Sequence, residues 1–204
     1  MIVTVSRQFG SGGRELGKRL ADALGLQYFD RELVTEIATK TALDEGFVSS
    51  VLEEGGFNNF AFSYARTMPL LSSTSASMTD VLVAQQKIIT SIGEKGDCVI
   101  VGRCADLILR DLKPVRLFVY ADEKSKIERC RARAEKSENL TDKEFLKNFK
   151  KIDKGRAKLH DLLSSSTDWG EKEGYDLMVN TSGLDISTII APLAEMVSEL
   201  AARK

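Results

Sequence analysis

Three glycines and two arginines fall within one short stretch near the start of the chain, "SRQFGSGGRELGKRL" at residues 6–20. The glycines are Gly10, Gly12 and Gly13, with Ser11 among them, and Arg7 and Arg14 flank the group. Without a Cβ, glycine lets the backbone turn tightly and approach a ligand closely. Backbone N–H groups exposed in such a turn, with a helix N-terminus behind them, form an anion site. The chemistry on offer is capture of a phosphate-like anion, with arginines supplying the positive charge.

Phosphate loops commonly read G-x-x-x-x-G-K-[ST], where the lysine reaches the terminal phosphates and the hydroxyl holds Mg²⁺. One register recovers Gly12, Gly17 and Lys18. The spacing of Leu16, Leu20 and Leu24 rejects it. A helix already runs through residue 17, and Lys18 lies on its flank beyond the reach of the loop. Gly25 is the expected left-handed cap of that helix. The better register places the loop at Arg7–Gly13, between a strand and the first helical turn. Gly13 then stands where the lysine belongs, and no Ser or Thr follows it. Arg7 or Arg14 is the expected replacement for the lysine.

Other segments add cations. "VIVGRCAD" sets Gly102 and Arg103 at the carboxyl end of a buried strand, where open α/β sheets bind ligands. "VRLFVYADEKSKIERCRAR" reads as a strand, an N-cap at Asp122 and a helix bearing Arg129, Arg131 and Arg133. A solvated charged face accounts for at least one of these three. "NLTDKEFLKNFKKIDKGRAKLHDLL" opens with Thr141 and Glu144 as a capping box. Inside its apolar stripe of Phe145, Phe149, Ile152, Leu159 and Leu163 sits Arg156. A cation there needs a partner, and Asp153 or a phosphate would serve. The neighbouring His160 is read as a structural edge residue with no catalytic role.

The elements that must position these groups alternate. Short apolar runs at 2–6, 27–30, 98–103, 115–121 and 177–182 suit strands buried on both faces of a parallel sheet. The helical stretches between them imply a doubly wound α/β sheet, because right-handed crossovers carry helices over both faces. Residues 55–80, with "GGFNNF" and "SSTSASMT", break the pattern and read as a mobile insertion that serves as a lid or is disordered. At 204 residues the chain can bury one sizeable core. Its net charge of -1 favours neither nucleic acid nor an anionic membrane. Cys98, Cys104 and Cys130 match no metal or disulfide spacing and read as reduced thiols. Neither a membrane span nor a signal-peptide pattern is evident, so a cytoplasmic location is expected.

Taken together, "VSRQFGSGGRELGKRLADALG", "QYFDREL", "VIVGR", "VRLFVYADEKSKIERCRAR", "KKIDKGRAKLHDLL" and "YDLMVNTS" resemble the P-loop nucleoside monophosphate kinases. The closest resemblance is to the cytidylate kinase-like family. The matching blocks cover nearly the whole chain except 44–80. The resemblance implies a three-layer α/β/α P-loop kinase fold with a five-stranded parallel sheet, order 2-3-1-4-5. It implies a single domain over 1–204, with an acceptor-binding insertion at 44–80 and a lid region at 134–160. It also implies transfer of the ATP γ-phosphoryl group to a nucleoside monophosphate such as CMP or dCMP, with ATP and Mg²⁺ as cofactors.

Residue by residue, Gly10, Ser11, Gly12 and Gly13 match the phosphate loop, and Arg14 joins them in nucleotide binding. Asp30 matches the position that opens the acceptor site, and Arg103 the arginine that approaches the acceptor phosphate. Arg131 and Arg133 fall near lid arginines. Asp153 and Arg156 match a D-x-x-R pair at the active site, and Asn180, Thr181 and Ser182 a strand end near adenine. Catalysis is assigned to Arg7, Arg14, Asp153 and Arg156. Metal ligands are not assigned, and water-held Mg²⁺ would tolerate the missing hydroxyl. The chain departs from ordinary cytidylate kinases in lacking the lysine, the hydroxyl, and an Asp where Val101 stands. Two alternatives follow: a nucleotide-binding pseudo-kinase module, or a P-loop kinase for another small metabolite. Small nucleotides are the expected partners, with no nucleic acid polymer and no membrane, and a homodimer is left open.

Overall fold

Strand β1 (Ile2–Arg7) lies at the centre of a five-stranded sheet, and five of its six residues are buried. The computed structural model describes residues 1–54, 74–133, 140–164 and 169–204. Much of the expected insertion at 55–80, and residues 134–139 of the expected lid, lie outside the described residues.

The other strands are β2 (Gln27–Phe29), β3 (Cys98–Val101), β4 (Val115–Tyr120) and β5 (Leu177–Asn180). The sheet order is β2-β3-β1-β4-β5 and every pairing is parallel. Val5 pairs with Val101 on one side and Leu117 on the other. This is the expected order. Because all five strands run the same way, their carboxyl ends share one edge. Arg7, Asp30, Gly102 and Thr181 are thereby gathered from distant parts of the chain.

Helices cover both faces. On one face α1 (Gly13–Leu24) packs against α8 (Ile186–Ala202), with Leu16, Leu20, Leu193 and Val197 over Val3, Val5 and Val101. The Leu16–Leu20 stripe is fully buried, and Gly25 caps α1 with φ 66°. On the opposite face α2 (Glu32–Thr41), α3 (Glu45–Glu54) and α4 (Thr74–Lys95) enclose Cys98 and Ile100. The single turn α5 (Ala105–Ile108) follows β3. Truncating a fully buried leucine in such layers costs about 2–5 kcal/mol.

Two helices stand over the carboxyl edge. In α6 (Glu123–Arg133), Asp122 accepts from the Ser125 N–H at 2.7 Å, the expected cap. In α7 (Asp142–Leu163), Thr141 and Glu144 form the expected capping box. Phe145, Phe149 and Leu159 are buried along α7, whereas Leu163 at its end is exposed. Cys98 and Cys104 are buried, Cys130 is half-buried, and all three are free thiols. Among the described residues no helix is long and apolar enough to cross a membrane.

Candidate active site

The glycine loop turns through left-handed backbone at Gly10 (φ 76°) and Gly12 (φ 81°). Gly12 is the N-cap of α1 and supplies no side chain, so the first-turn N–H groups stay open to a ligand. Ser11 is fully buried and fixes the loop instead. Its hydroxyl donates to the Gln8 carbonyl at 2.8 Å, and its own carbonyl accepts from the Thr181 hydroxyl at 2.7 Å. The loop is thus tied to the end of β5. The Phe9 N–H donates to Asp153 Oδ1 at 2.7 Å, which ties it to α7 as well.

Arg7 ends β1 and runs beneath the loop. A Cβ on Gly13 would lie 2.6 Å from Arg7 Cβ, and a Cβ on Gly102 would lie 1.5 Å from Arg7 Nη1. Arg7 therefore occupies the corridor between these glycines, and no side chain fits at position 13 beside it. It is only 8% exposed. Burial, followed by Arg156 and Arg103, pushes its guanidinium down to about 9, against which Asp30 pulls upward. A cation so desolvated gains strongly from an added anion.

Arg14 differs. Its side chain is 38% exposed and engaged by the buried Asp30 carboxylate, through a close Nε contact and an Nη2 contact at 3.4 Å. Asp30 also lies 3.9 Å from Arg7. Of the two arginines expected to replace the lysine, Arg7 holds the position beneath the loop. Lys18 is exposed and paired with Asp22 at 2.8 Å, outside the loop.

From α7, Arg156 donates to the Arg7 carbonyl at 3.1 Å and pairs with Asp153 at 3.3 Å. Burial raises the Asp153 proton affinity, opposed by Arg156, the Phe9 N–H, Lys126 and Arg7. Arg103 sits at the carboxyl end of β3, buried beside Arg7, at φ 60°. Gly102, Arg103 and Cys104 are left-handed in succession, at 73°, 60° and 52°. Non-glycine residues avoid this region, so its surroundings must hold the turn in place.

The arginines of α6 separate. Arg133 pairs with Glu15 at 2.6 Å and lines the main cavity. Arg131 contacts Asp142 and lies over the Phe145 ring, and it is not part of the described cavity lining. Residues two apart sit about 200° apart around a helix, so both could not face the loop. Arg129 donates to Leu184 O at 3.1 Å and also contacts Thr181, securing the loop after β5.

The cavity over the loop has a volume of about 690 Å³. Its cationic lining is Arg7, Arg14, Arg31, Arg133, Lys151 and Arg156, and its described lining includes no carboxylate. Arg31 and Lys151 gave no sequence signal beyond their charge. Arg7 and Arg156 also line a second space of about 20 Å³ with Arg103, Asp106 and His160, room for one water-sized group. His160 is not at an edge. It is buried, 3.3 Å from the buried Asp106, one helical turn after Arg156 on the same face. That i, i+4 spacing was the available signal.

The donor set does not suit a protein-held Mg²⁺. Glu15 is taken by Arg133 and by Arg19 at 3.0 Å. Asp30 is taken by Arg14, and Asp153 by Arg156 and the Phe9 N–H. Among the described residues no cluster of three His, Cys, Asp or Glu could hold a metal ion.

A parallel 2-3-1-4-5 sheet with a glycine loop running from the central strand into a helix defines the P-loop kinase fold. Within that class the chain belongs to the cytidylate kinase-like family, whose sequence model matches residues 2–183. No curated protein matches it. Solved structures that share the fold include an uncharacterized protein from Eubacterium ventriosum ATCC 27560, with 23% identity and a TM-score of 0.67, covering 97% of this chain and 98% of that one. Shikimate kinase from Bacteroides thetaiotaomicron shares 15% identity at a TM-score of 0.58, covering 97% and 98%. Shikimate kinase from Acinetobacter baumannii in complex with shikimate shares 12% at 0.53, covering 98% and 94%.

Proposed function

We propose that this protein transfers the γ-phosphoryl group of ATP to a nucleoside monophosphate acceptor of the CMP or dCMP type. The observation that carries the reading is the buried Arg7 guanidinium beneath the glycine loop, where an ordinary loop would project its lysine. Family membership supports a phosphotransferase in general, and the acceptor is our inference.

An acceptor phosphate oxygen attacks the γ-phosphorus, the β–γ bridging bond breaks, and ADP leaves with the bonding electrons. The acceptor phosphate is already ionised, so no strong base is required. The protein aligns the reactants, excludes water and stabilises charge on the transferring group. The loop N–H groups hold the donor phosphates. Arg7 and Arg156 face the transferring group, and Arg133 reaches it from α6. Asp153 keeps Phe9 and Arg156 in register. Arg103 meets the acceptor.

A second reading is a hydroxyl-bearing small-metabolite acceptor. The small space beside Arg103 favours it, because Asp106 Oδ1 and His160 Nδ1 are buried there without a hydrogen-bond partner among the described residues. With His160 Nε2–H donating to Asp106, both of these atoms are acceptors, and a hydroxyl can donate to one of them. The test is a phosphotransfer screen with ATP and Mg²⁺ against all nucleoside monophosphates and a panel of hydroxylated metabolites. Turnover of a cytidine or deoxycytidine monophosphate supports the first reading, and turnover of metabolites alone supports the second. Tight ATP binding with no turnover anywhere would leave a nucleotide-binding module.

A further inference from the structure

The charges around the main cavity and the engagement of Glu15, Asp30 and Asp153 near it lead beyond the identity of the acceptor. An ordinary phosphate loop meets a nucleoside triphosphate with one lysine and a metal ion on a Ser/Thr hydroxyl. Here six cationic side chains line the cavity among the described residues, and neither of those devices is present in the loop. Such a lining attracts a polyanion of roughly four negative charges and repels a dication approaching alongside it. Asp30 and Asp153 stand behind the lining, but each is already bonded to an arginine. Glu15 is held by Arg133 and Arg19. A metal ion could take any of them only by displacing a guanidinium.

We infer that the phosphate chain of the nucleotide binds here as the free polyanion, with arginines in the place of the divalent cation, so that binding itself needs no Mg²⁺. The inference rests on the proposed nucleotide site. Arg133 is the exchangeable member of the set. Its side chain is about half exposed and pairs with Glu15. Moving from Glu15 to a phosphate, it trades one anion for another, while Arg19 keeps Glu15 neutralised.

The experiment is calorimetric titration of the purified protein with ADP and with a non-hydrolysable ATP analogue. Each is measured in excess EDTA and in excess Mg²⁺ at equal ionic strength, since screening alone would change affinity. The expected Kd in EDTA is equal to that in Mg²⁺ within about threefold, or lower. A loss of more than about threefold in EDTA overturns the inference and leaves the kinase reading standing. Absence of nucleotide binding under both conditions defeats both. The variant Arg133→Gln, at a half-exposed site with little risk to folding, gives an independent check. With one arginine fewer, affinity in EDTA should fall by about tenfold or more and affinity in Mg²⁺ by less than about threefold. Equal losses in the two conditions would show that Arg133 does not stand in for the metal, and would also overturn the inference.

Discussion

Replacing Arg7 by methionine should stabilise the unliganded protein while abolishing its affinity for phosphate. Burial and the neighbouring arginines depress the Arg7 guanidinium from its ordinary value to about 9. At about 1.36 kcal/mol per decade, holding this charge in the folded state costs up to roughly 5 kcal/mol. The sign follows from proton linkage. A base with a lowered folded value binds fewer protons folded than unfolded, so its penalty is complete below about pH 9 and fades only as pH rises above that toward the ordinary arginine range. Methionine removes the charge and fills much of the corridor between Gly13 and Gly102. Against this stand the lost contact with Asp30, which keeps Arg14, and imperfect packing of a smaller side chain. The net gain should be about 1–3 kcal/mol, or a rise of roughly 2–10 °C in Tm for a chain of this length. Differential scanning calorimetry in an anion-free buffer at pH 7 measures it. Added inorganic phosphate should raise the wild-type Tm and leave that of Arg7→Met unchanged. A lower Tm for Arg7→Met without anions would refute the reasoning, since Arg7 would then be structural rather than held for a ligand.

Three other predictions concern the same edge of the sheet. Gly13→Lys, which restores the usual loop residue, should destabilise by about 1–3 kcal/mol in a denaturant titration, because its Cβ meets Arg7 Cβ at 2.6 Å. Once an acceptor is found, Arg103→Ala should raise the acceptor's KM more than that of ATP, and Lys18→Ala should leave both unchanged in steady-state assays. Asp153→Asn should lower kcat by roughly tenfold or more and remove the acidic limb of the wild-type pH profile. Burial raises the Asp153 proton affinity, so that limb should lie above the ordinary carboxylate range. The same raised value means that ionised Asp153 costs stability at neutral pH, a cost relieved as pH falls through the folded value.

Most of the framework was legible because its signals are local. Leu16, Leu20 and Leu24 fixed the first helix and thereby the loop register. Thr141 with Glu144 marked the start of α7, and five apolar runs marked the strands. Asp153, three residues before Arg156, was one of the two partners expected for it, and the structure pairs them. Other features depend on distance in three dimensions. Nothing local distinguishes Arg7 from Arg14, and only the corridor between β1, Gly13 and Gly102 separates the buried cation from the half-exposed one. Arg131 and Arg133 look alike in sequence, yet opposite helix faces send one to Asp142 and the other to the cavity. His160 was read as an edge residue because its partner, Asp106, lies 54 residues away on another element.

The threading of Arg7 past Gly13 and Gly102 has a consequence for descent. Lysine at position 13 is costly while Arg7 remains, because its Cβ would meet Arg7 Cβ at 2.6 Å. Nor can Arg7 be surrendered first without leaving the loop without its central cation. A lineage carrying this arrangement therefore faces a mutational valley, crossed most easily by two substitutions together. The arrangement also leaves a readable trace, R-x-x-G-x-G-G at the end of a first strand with G-R at the end of a later one. Searches of genomes that demand a loop lysine will pass over such chains, while a search for that trace will gather chains in which an arginine rises from the strand beneath the loop.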